Sequence, residues 1–466
     1  MWFEETLVNL LNRRESSMPG PMTGYRIGQG EPLTAGAAGP VVLPKTSVEH
    51  SAVFGRSGCG KTHTFLRLMA EHWRFGVPFL FIDFHGHAVD ELMAIIGRDA
   101  CSREVLLLEP WSDPVLGWNP LERKGEWPYA IVQELVSIFH RRLWPDAWGP
   151  RLEECIRYTL LALCEGGHTL VETTKFLSNQ DFRRSVLKNV TASEVLEYWI
   201  VRFERLAPSQ KLLVTESVLN KASAFLDPIL QRVLGQREST LDLDRALRSG
   251  QTIIANFSSG KLRGNNYLLA ALLVAAFKNA VYRRSPDAPL YAVFLDEFQE
   301  LVALDALDDY LRSFRKFRCS VYLATQHLQF DPALRAAIFG NCSRFFCFAV
   351  SAADARYLAA ELGSPDGKIA EEILPDLPTG QAVLKVRGKR AVLLKVAPVA
   401  SHATREAVQR GRTKCLTLGF TKTQVDAGPP LRLKPAREPR NPAPHLKPGK
   451  LLVMPRLKEG YEDIKL

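Results

Sequence analysis

At 466 residues, 46% hydrophobic and 24% charged, the chain has the composition of a globular protein and the length for two or three domains around a sizeable core. Its formal net charge of +10 permits a nucleic-acid partner without requiring one. Eight cysteines with no C-x-x-C pair speak against a zinc ribbon or a disulfide scaffold, so reduced thiols and a cytoplasmic setting are expected.

Residues 1–40 form a weak lead-in. Met1 to Leu11 is a short amphipathic stretch, and the Gly- and Pro-rich run Met18 to Pro40 reads as loops before a strand near Val41-Val42-Leu43. A βαβ pattern follows over 41–125. The apolar run His50 to Phe54 enters Gly55-Arg56-Ser57-Gly58-Cys59-Gly60-Lys61-Thr62, and a helix leaves with Phe65, Leu66, Met69 and Trp73 on one side. Further strands are expected at Phe79 to Asp83 and Val105 to Leu108. From 126 to 242 the pattern is helical throughout. Over 243–400 strands return at Gln251 to Phe257, Leu290 to Leu295, Cys319 to Ala324 and Arg344 to Val350. The run Tyr267 to Phe277 is too short to span a membrane, which needs about twenty residues, and reads as a buried helix. Gln381 to Val386 and Ala391 to Val396 form a hairpin. Residues 401–466 are expected to be a basic, Pro-rich and largely disordered tail, with ten Lys/Arg against five Asp/Glu from Thr421 onward.

The loop Gly55 to Thr62 fits the phosphate-binding pattern G-x-x-x-x-G-K-[ST] (Walker A) at every fixed position. Its glycines let successive N–H groups point inward at phosphate oxygens. Lys61 carries a compact charge to the β- and γ-phosphates, and the Thr62 hydroxyl is placed to ligand Mg²⁺. Cys59 reads as a small residue tolerated in the loop. The apolar strand Tyr291 to Leu295 ends in Asp296-Glu297, a Walker B pattern: Asp296 to hold Mg²⁺ and Glu297 to act as general base. Glu297 separates a hydrolase from a passive nucleotide switch. Gln326, at the end of the next strand, is placed to sense the γ-phosphate. Arg312, Arg315, Lys316 and Arg318 share one helix and its exit. They read as a solvated face, as a contact to a DNA backbone, or as the source of an arginine finger for a neighbouring subunit, with Arg315 the candidate. Asp83-Phe84-His85-Gly86-His87 has the look of a metal-ligand cluster, but its place after a phosphate loop favours a turn with a structural or nucleotide-coupling role.

Together these motifs resemble the conjugative coupling proteins of type IV secretion and their relatives in the FtsK–HerA superfamily. The matching pieces stand in the family's order: His50 to Thr62; Ile82 to Gly86; Trp118-Asn119-Pro120-Leu121; Leu219-Asn220-Lys221; Gly250 to Lys261; Leu295 to Gln299; Arg315-Lys316-Phe317; Ala324-Thr325-Gln326; Ser351 to Ala355. The likeness spans roughly 40–400. It implies an α/β, RecA-like P-loop NTPase core with a mostly parallel sheet, interrupted by an all-helical insertion. It also implies ATP and Mg²⁺ as cofactors, hydrolysis coupled to DNA translocation, and a homo-hexameric ring. A relaxase, a secretion channel or a nuclease are the partners it suggests. Phe84 stands where the family favours proline. The family's N-terminal membrane anchor is not found in the sequence, so no integral span is expected. A cytoplasmic motor, or one held at the inner membrane through a partner, is therefore the expectation. A secretion ATPase acting on protein, and a HerA-like ATPase partnered with a nuclease, remain alternatives.

Overall fold

The computed structural model describes residues 24–419, apart from 35, 46, 100–102, 143–147, 263, 299–303, 329–331 and 400–402. The expectations for Met1 to Leu11 and for the tail beyond 419 lie outside the described residues.

Eleven strands form one sheet: β1 (Gly24–Pro32), β2 (Gly39–Pro44), β3 (His50–Phe54), β4 (Phe79–Asp83), β5 (Val105–Leu108), β6 (Thr252–Asn256), β7 (Tyr291–Leu295), β8 (Cys319–Thr325), β9 (Cys342–Cys347), β10 (Gln381–Val386) and β11 (Val392–Val396). Their order is β2-β1-β11-β10-β9-β3-β8-β7-β4-β6-β5. The seven strands from β9 to β5 are parallel. The remaining pairs are antiparallel and extend the sheet on the β9 side.

Strands β3, β4 and β7 are buried at every position. A parallel strand needs this, because helices cover both faces. Successive side chains alternate between two cores. Ala52, Phe54, Leu80, Ile82, Val293 and Leu295 face one. Val53, Phe79, Phe81, Ala292 and Phe294 face the other.

Helices α1 (Lys61–Arg74) and α2 (His87–Arg98) bury their apolar sides in the second core. The first core takes α3 (Pro128–Arg142), α4 (Pro150–Glu165), α5 (Thr173–Ser178), α6 (Gln180–Leu187), α7 (Ser193–Leu196), α8 (Pro208–Ala222), α9 (Pro228–Leu234) and α10 (Leu243–Ser249). Residues 126–242 contain no strand among the described residues. They share a continuous core with the sheet instead of standing apart from it. Helix α11 (Ser259–Leu262) leads into α12 (Asn266–Tyr282), whose Leu268, Leu269, Leu272, Leu273 and Phe277 are all buried. Each such side chain contributes about 1.5–3 kcal/mol of burial energy. Among the described residues no helix is long and apolar enough to cross a membrane. The remaining helices are α13 (Leu304–Lys316), α14 (Pro332–Asn341), α15 (Ala352–Leu362), α16 (Asp366–Ile373) and α17 (Arg405–Gly419).

Two expectations are corrected. Gly24–Pro32, read as loop, is a strand paired on both sides. Its glycines allow close pairing: a Cβ on Gly28 would lie 2.1 Å from the Lys395 carbonyl oxygen. Arg405–Gly419, assigned to the disordered tail, is a helix packed on α2. Small residues four apart, Ala407, Gly411 and Cys415, make the contact, and a Cβ on Gly411 would lie 2.1 Å from the Met93 carbonyl oxygen. Lys414 Nζ donates to the Ile96 carbonyl at 3.0 Å, near the end of α2.

Candidate nucleotide site

The phosphate loop leaves the C-terminal end of β3 and is stitched to both neighbouring strands. Gly55 N–H donates to Thr325 O at 3.2 Å and Arg56 N–H to Ala349 O at 2.8 Å. Gly58 and Gly60 have φ of 76° and 117°, which the curl requires and L side chains avoid. Lys61 is buried, its Nζ folded onto Gly55 O at 2.8 Å and Arg56 O at 3.0 Å. Thr64 N–H donates to Gly60 O at 3.0 Å, starting α1 at the end of the loop. Arg56 and Ser57 are exposed.

Strand β8 lies between β3 and β7, so the end of β7 arrives two strands from the phosphate loop. There the Thr62 hydroxyl donates to Asp296 Oδ2 at 3.0 Å. Asp296 Oδ1 accepts from Glu297 N–H at 3.0 Å, across a left-handed turn with φ 47° at Glu297. The Gln326 amide donates to Glu297 Oε1. Burial raises the pKa of Asp296; the Thr62 hydrogen bond and the Lys61 charge oppose that shift, and the Glu297 charge adds to it. Burial also raises the Cys59 thiol, against the lowering effect of Lys61, which disfavours the thiolate. The hydroxyl of Thr62 and the carboxylate of Asp296 face one another as hard oxygen donors, a set that fits Mg²⁺.

The structure thus brings together Lys61, Thr62, Asp296, Glu297 and Gln326. It does not bring Arg315 to them. Arg315 is exposed on α13 before β8 begins, and its charge helps lower the pKa of His50 at the start of β3. It therefore sits at the opposite end of the strands, about 20 Å away along the seven-residue β8. Asp83 caps its own turn: Oδ1 accepts from His85 N–H at 2.8 Å and Oδ2 from Val89 N–H at 3.0 Å. Among the described residues no three His, Cys, Asp or Glu side chains gather as metal ligands.

Two features carry no signal in the sequence. One is the loop before β10: Gly380 N–H donates to Cys59 O at 2.9 Å, and a Cβ on Gly60 would lie 3.3 Å from the Gly380 backbone. The other is a row of polar strand ends. Beyond Asp296 and Asp83, Asn256 Nδ2 donates to buried Glu109 at 2.8 Å, and Glu109 also accepts from Arg412 of α17. Arg412 reaches Asp90 on α2 at 3.0 Å as well. A groove of about 420 Å³, lined by Glu126, Glu134, Lys278, Asn279 and Tyr310 among others, lies between α3 and α12, away from these strand ends.

A phosphate loop at the end of β3, an Asp-Glu pair at the end of β7 and β8 between them define a RecA-like P-loop NTPase fold. Comparison with solved structures narrows that class. The bacterial conjugative coupling protein TrwB, in a form bound to sulphate, superposes with a TM-score of 0.59 at 16% identity, over 84% of this chain and 98% of that one. TrwB in complex with ADP and Mg²⁺ gives 0.56 at 16% identity, over 83% and 92%. VirB4 of Thermoanaerobacter pseudethanolicus gives 0.53 at 13% identity, over 82% and 99%. The chain therefore shares its fold with TrwB and VirB4. No protein-family model and no curated protein matches the sequence.

Proposed function

We propose that the protein is a Mg²⁺-dependent ATPase that translocates DNA, acting as a ring of identical subunits. The observation that carries this reading is the meeting of Thr62, Asp296, Glu297 and Gln326 at one end of the strands. The likeness to TrwB, whose structures include complexes with ADP and Mg²⁺ and with non-hydrolysable ATP and GTP analogues, supports it.

In this mechanism the N–H groups of Ser57 to Thr62 hold the phosphates. Lys61 leaves the Gly55 and Arg56 carbonyls for the β- and γ-phosphates. Thr62 and Asp296 would hold Mg²⁺, which would withdraw charge from the phosphate oxygens. Glu297 accepts the proton of the attacking water, and Gln326 exchanges its bond to Glu297 for one to the γ-phosphate. Because Arg315 lies at the far end of its own strands, any role at a γ-phosphate is at the site of the next subunit.

The test is the ATPase rate with single- and double-stranded DNA at several salt concentrations, with particle mass measured in the same samples. DNA stimulation that falls steeply with salt is expected. A second reading is an ATPase working on protein, and hydrolysis indifferent to every DNA would move the assignment there.

A further inference from the structure

We infer that the loop Leu377-Pro378-Thr379-Gly380 is the platform for the nucleoside end of the bound nucleotide, an inference that rests on the ATPase reading above. The direction of the nucleotide follows from the sheet. Thr62 and Lys61 fix the middle of the triphosphate over β3. Glu297 and Gln326, where the γ-phosphate reacts, stand on the β8 and β7 side. A triphosphate that points its γ end toward β7 must point its ribose and base the other way, across β9 toward β10.

What waits on that side is this loop. Gly380 N–H is bonded to Cys59 O at 2.9 Å, inside the phosphate loop, and Gly380 O accepts from Val396 N–H at 3.0 Å. Gln381 N–H closes a tight turn onto Pro378 O at 3.1 Å. The segment is also held from behind. Buried Asp366 accepts from Ala391 N–H at 2.8 Å, Lys385 at 3.1 Å and Arg390 at 3.0 Å, clamping the β10–β11 hairpin to α16. Pro378 and Thr379 nevertheless face solvent, and half-exposed His63 stands three residues beyond Gly60, whose Cβ position lies 3.3 Å from the Gly380 backbone.

The chemistry of these residues fits a ribose and a base better than a phosphate. The four residues carry no charge. Pro378 offers a flat apolar ring, Thr379 a hydroxyl and a methyl group, and His63 a ring able to stack. None of the four residues offers a buried polar side chain to read one base edge, so discrimination between adenine and guanine is expected to be weak, within about tenfold.

The experiment uses the full chain and titration calorimetry with two ligands, MgATP and magnesium tripolyphosphate, on wild type and on Thr379→Trp. Thr379 is exposed, so the variant is expected to fold, and a circular dichroism melt checks this. A change of at least fivefold in ATP affinity, in either direction, with tripolyphosphate affinity unchanged supports the platform. Equal changes for both ligands, or none, overturn it. Photolabelling with 8-azido-ATP is the second measurement: label on the peptide spanning 377–386 supports the proposal, and label confined to other segments overturns it. If wild type binds neither ligand, the nucleotide reading itself fails and the platform with it. If it binds tripolyphosphate as tightly as ATP, the nucleotide site stands and the platform falls.

Discussion

The side-chain amide of Gln326 is bonded to the carboxylate of Glu297, tying the end of β8 to the end of β7. In the proposed mechanism the general base is thus engaged by the residue that would sense the phosphate. Glu297→Gln is expected to lower kcat by about 10²–10⁴-fold, the usual contribution of a general base. ATP affinity should stay within about threefold. Gln326→Ala should abolish DNA stimulation while leaving some basal turnover. Steady-state kinetics with calorimetric ATP binding check both; a Glu297→Gln enzyme that keeps more than a tenth of its activity refutes the assignment.

Arg315 and Lys61 lie at opposite ends of the central strands β3 and β8. If Arg315 completes a neighbour's site, Arg315→Ala and Glu297→Gln are each inactive alone. Mixed, they should regain a measurable fraction of wild-type rate, because some interfaces then pair an intact Glu297 with an intact Arg315. Titrating one variant into the other at constant total protein measures this. A strictly flat response shows that no arginine is shared through this residue.

Two buried histidines are expected to erode stability in acid. His50 donates from Nε2 to Leu311 O at 2.6 Å and accepts at Nδ1 from Val321 N–H at 3.0 Å, which requires the neutral ring. His72 is fully buried, with Nδ1 2.8 Å from Leu68 O. Burial lowers both pKa values to about 4. A lowered pKa means stability that is complete above the unfolded value near 6.5 and drains away as pH falls toward 4. Each ring accounts for on the order of 3 kcal/mol across that window. Asp296 works in the opposite sense, since its raised pKa makes ionisation costly as pH rises. Urea unfolding between pH 4 and 8 should show the steepest loss below 6.5, shallower in His72→Leu once its pH 8 stability is taken as the reference. An unchanged slope rules His72 out.

Arg412 ties α17 to Glu109 and Asp90. Arg412→Ala leaves Glu109, 7% exposed, with its charge uncompensated. A loss of about 1–3 kcal/mol is expected, reduced from the fully buried case because Arg412 is partly solvated. Gly411→Leu should cost more, since its side chain collides with the Met93 backbone. Melting temperatures of both variants, measured with and without MgATP, check this ranking.

The phosphate loop and the Asp-Glu strand end were readable because each is local: a spacing of eight residues, or an apolar run with two carboxylates behind it. What put Gln326 beside Glu297 was the order of strands, which no window of sequence contains. β1 was hidden because Gly24, Gly28 and Gly30 imitate a loop while permitting close strand pairing. α17 was hidden because its contact face is made of Ala407, Gly411 and Cys415, not of large apolar residues. Gly380 supports the phosphate loop through its backbone alone, and backbone contacts leave no residue pattern. Arg412 meets Glu109 across 303 residues, a pairing that no local pattern announces.

The Thr62–Asp296 contact closes a separation of 234 residues. At typical translation speeds, Asp296 follows Thr62 out of the ribosome by roughly 10–50 s. During that interval the nascent chain displays a phosphate loop with no acidic partner and no β8 or β9 to hold its first two residues. On the ATPase reading, catalytic competence is therefore among the last properties this chain acquires. Nucleotide that binds only the completed site favours the finished fold by mass action, drawing late-folding chains toward it.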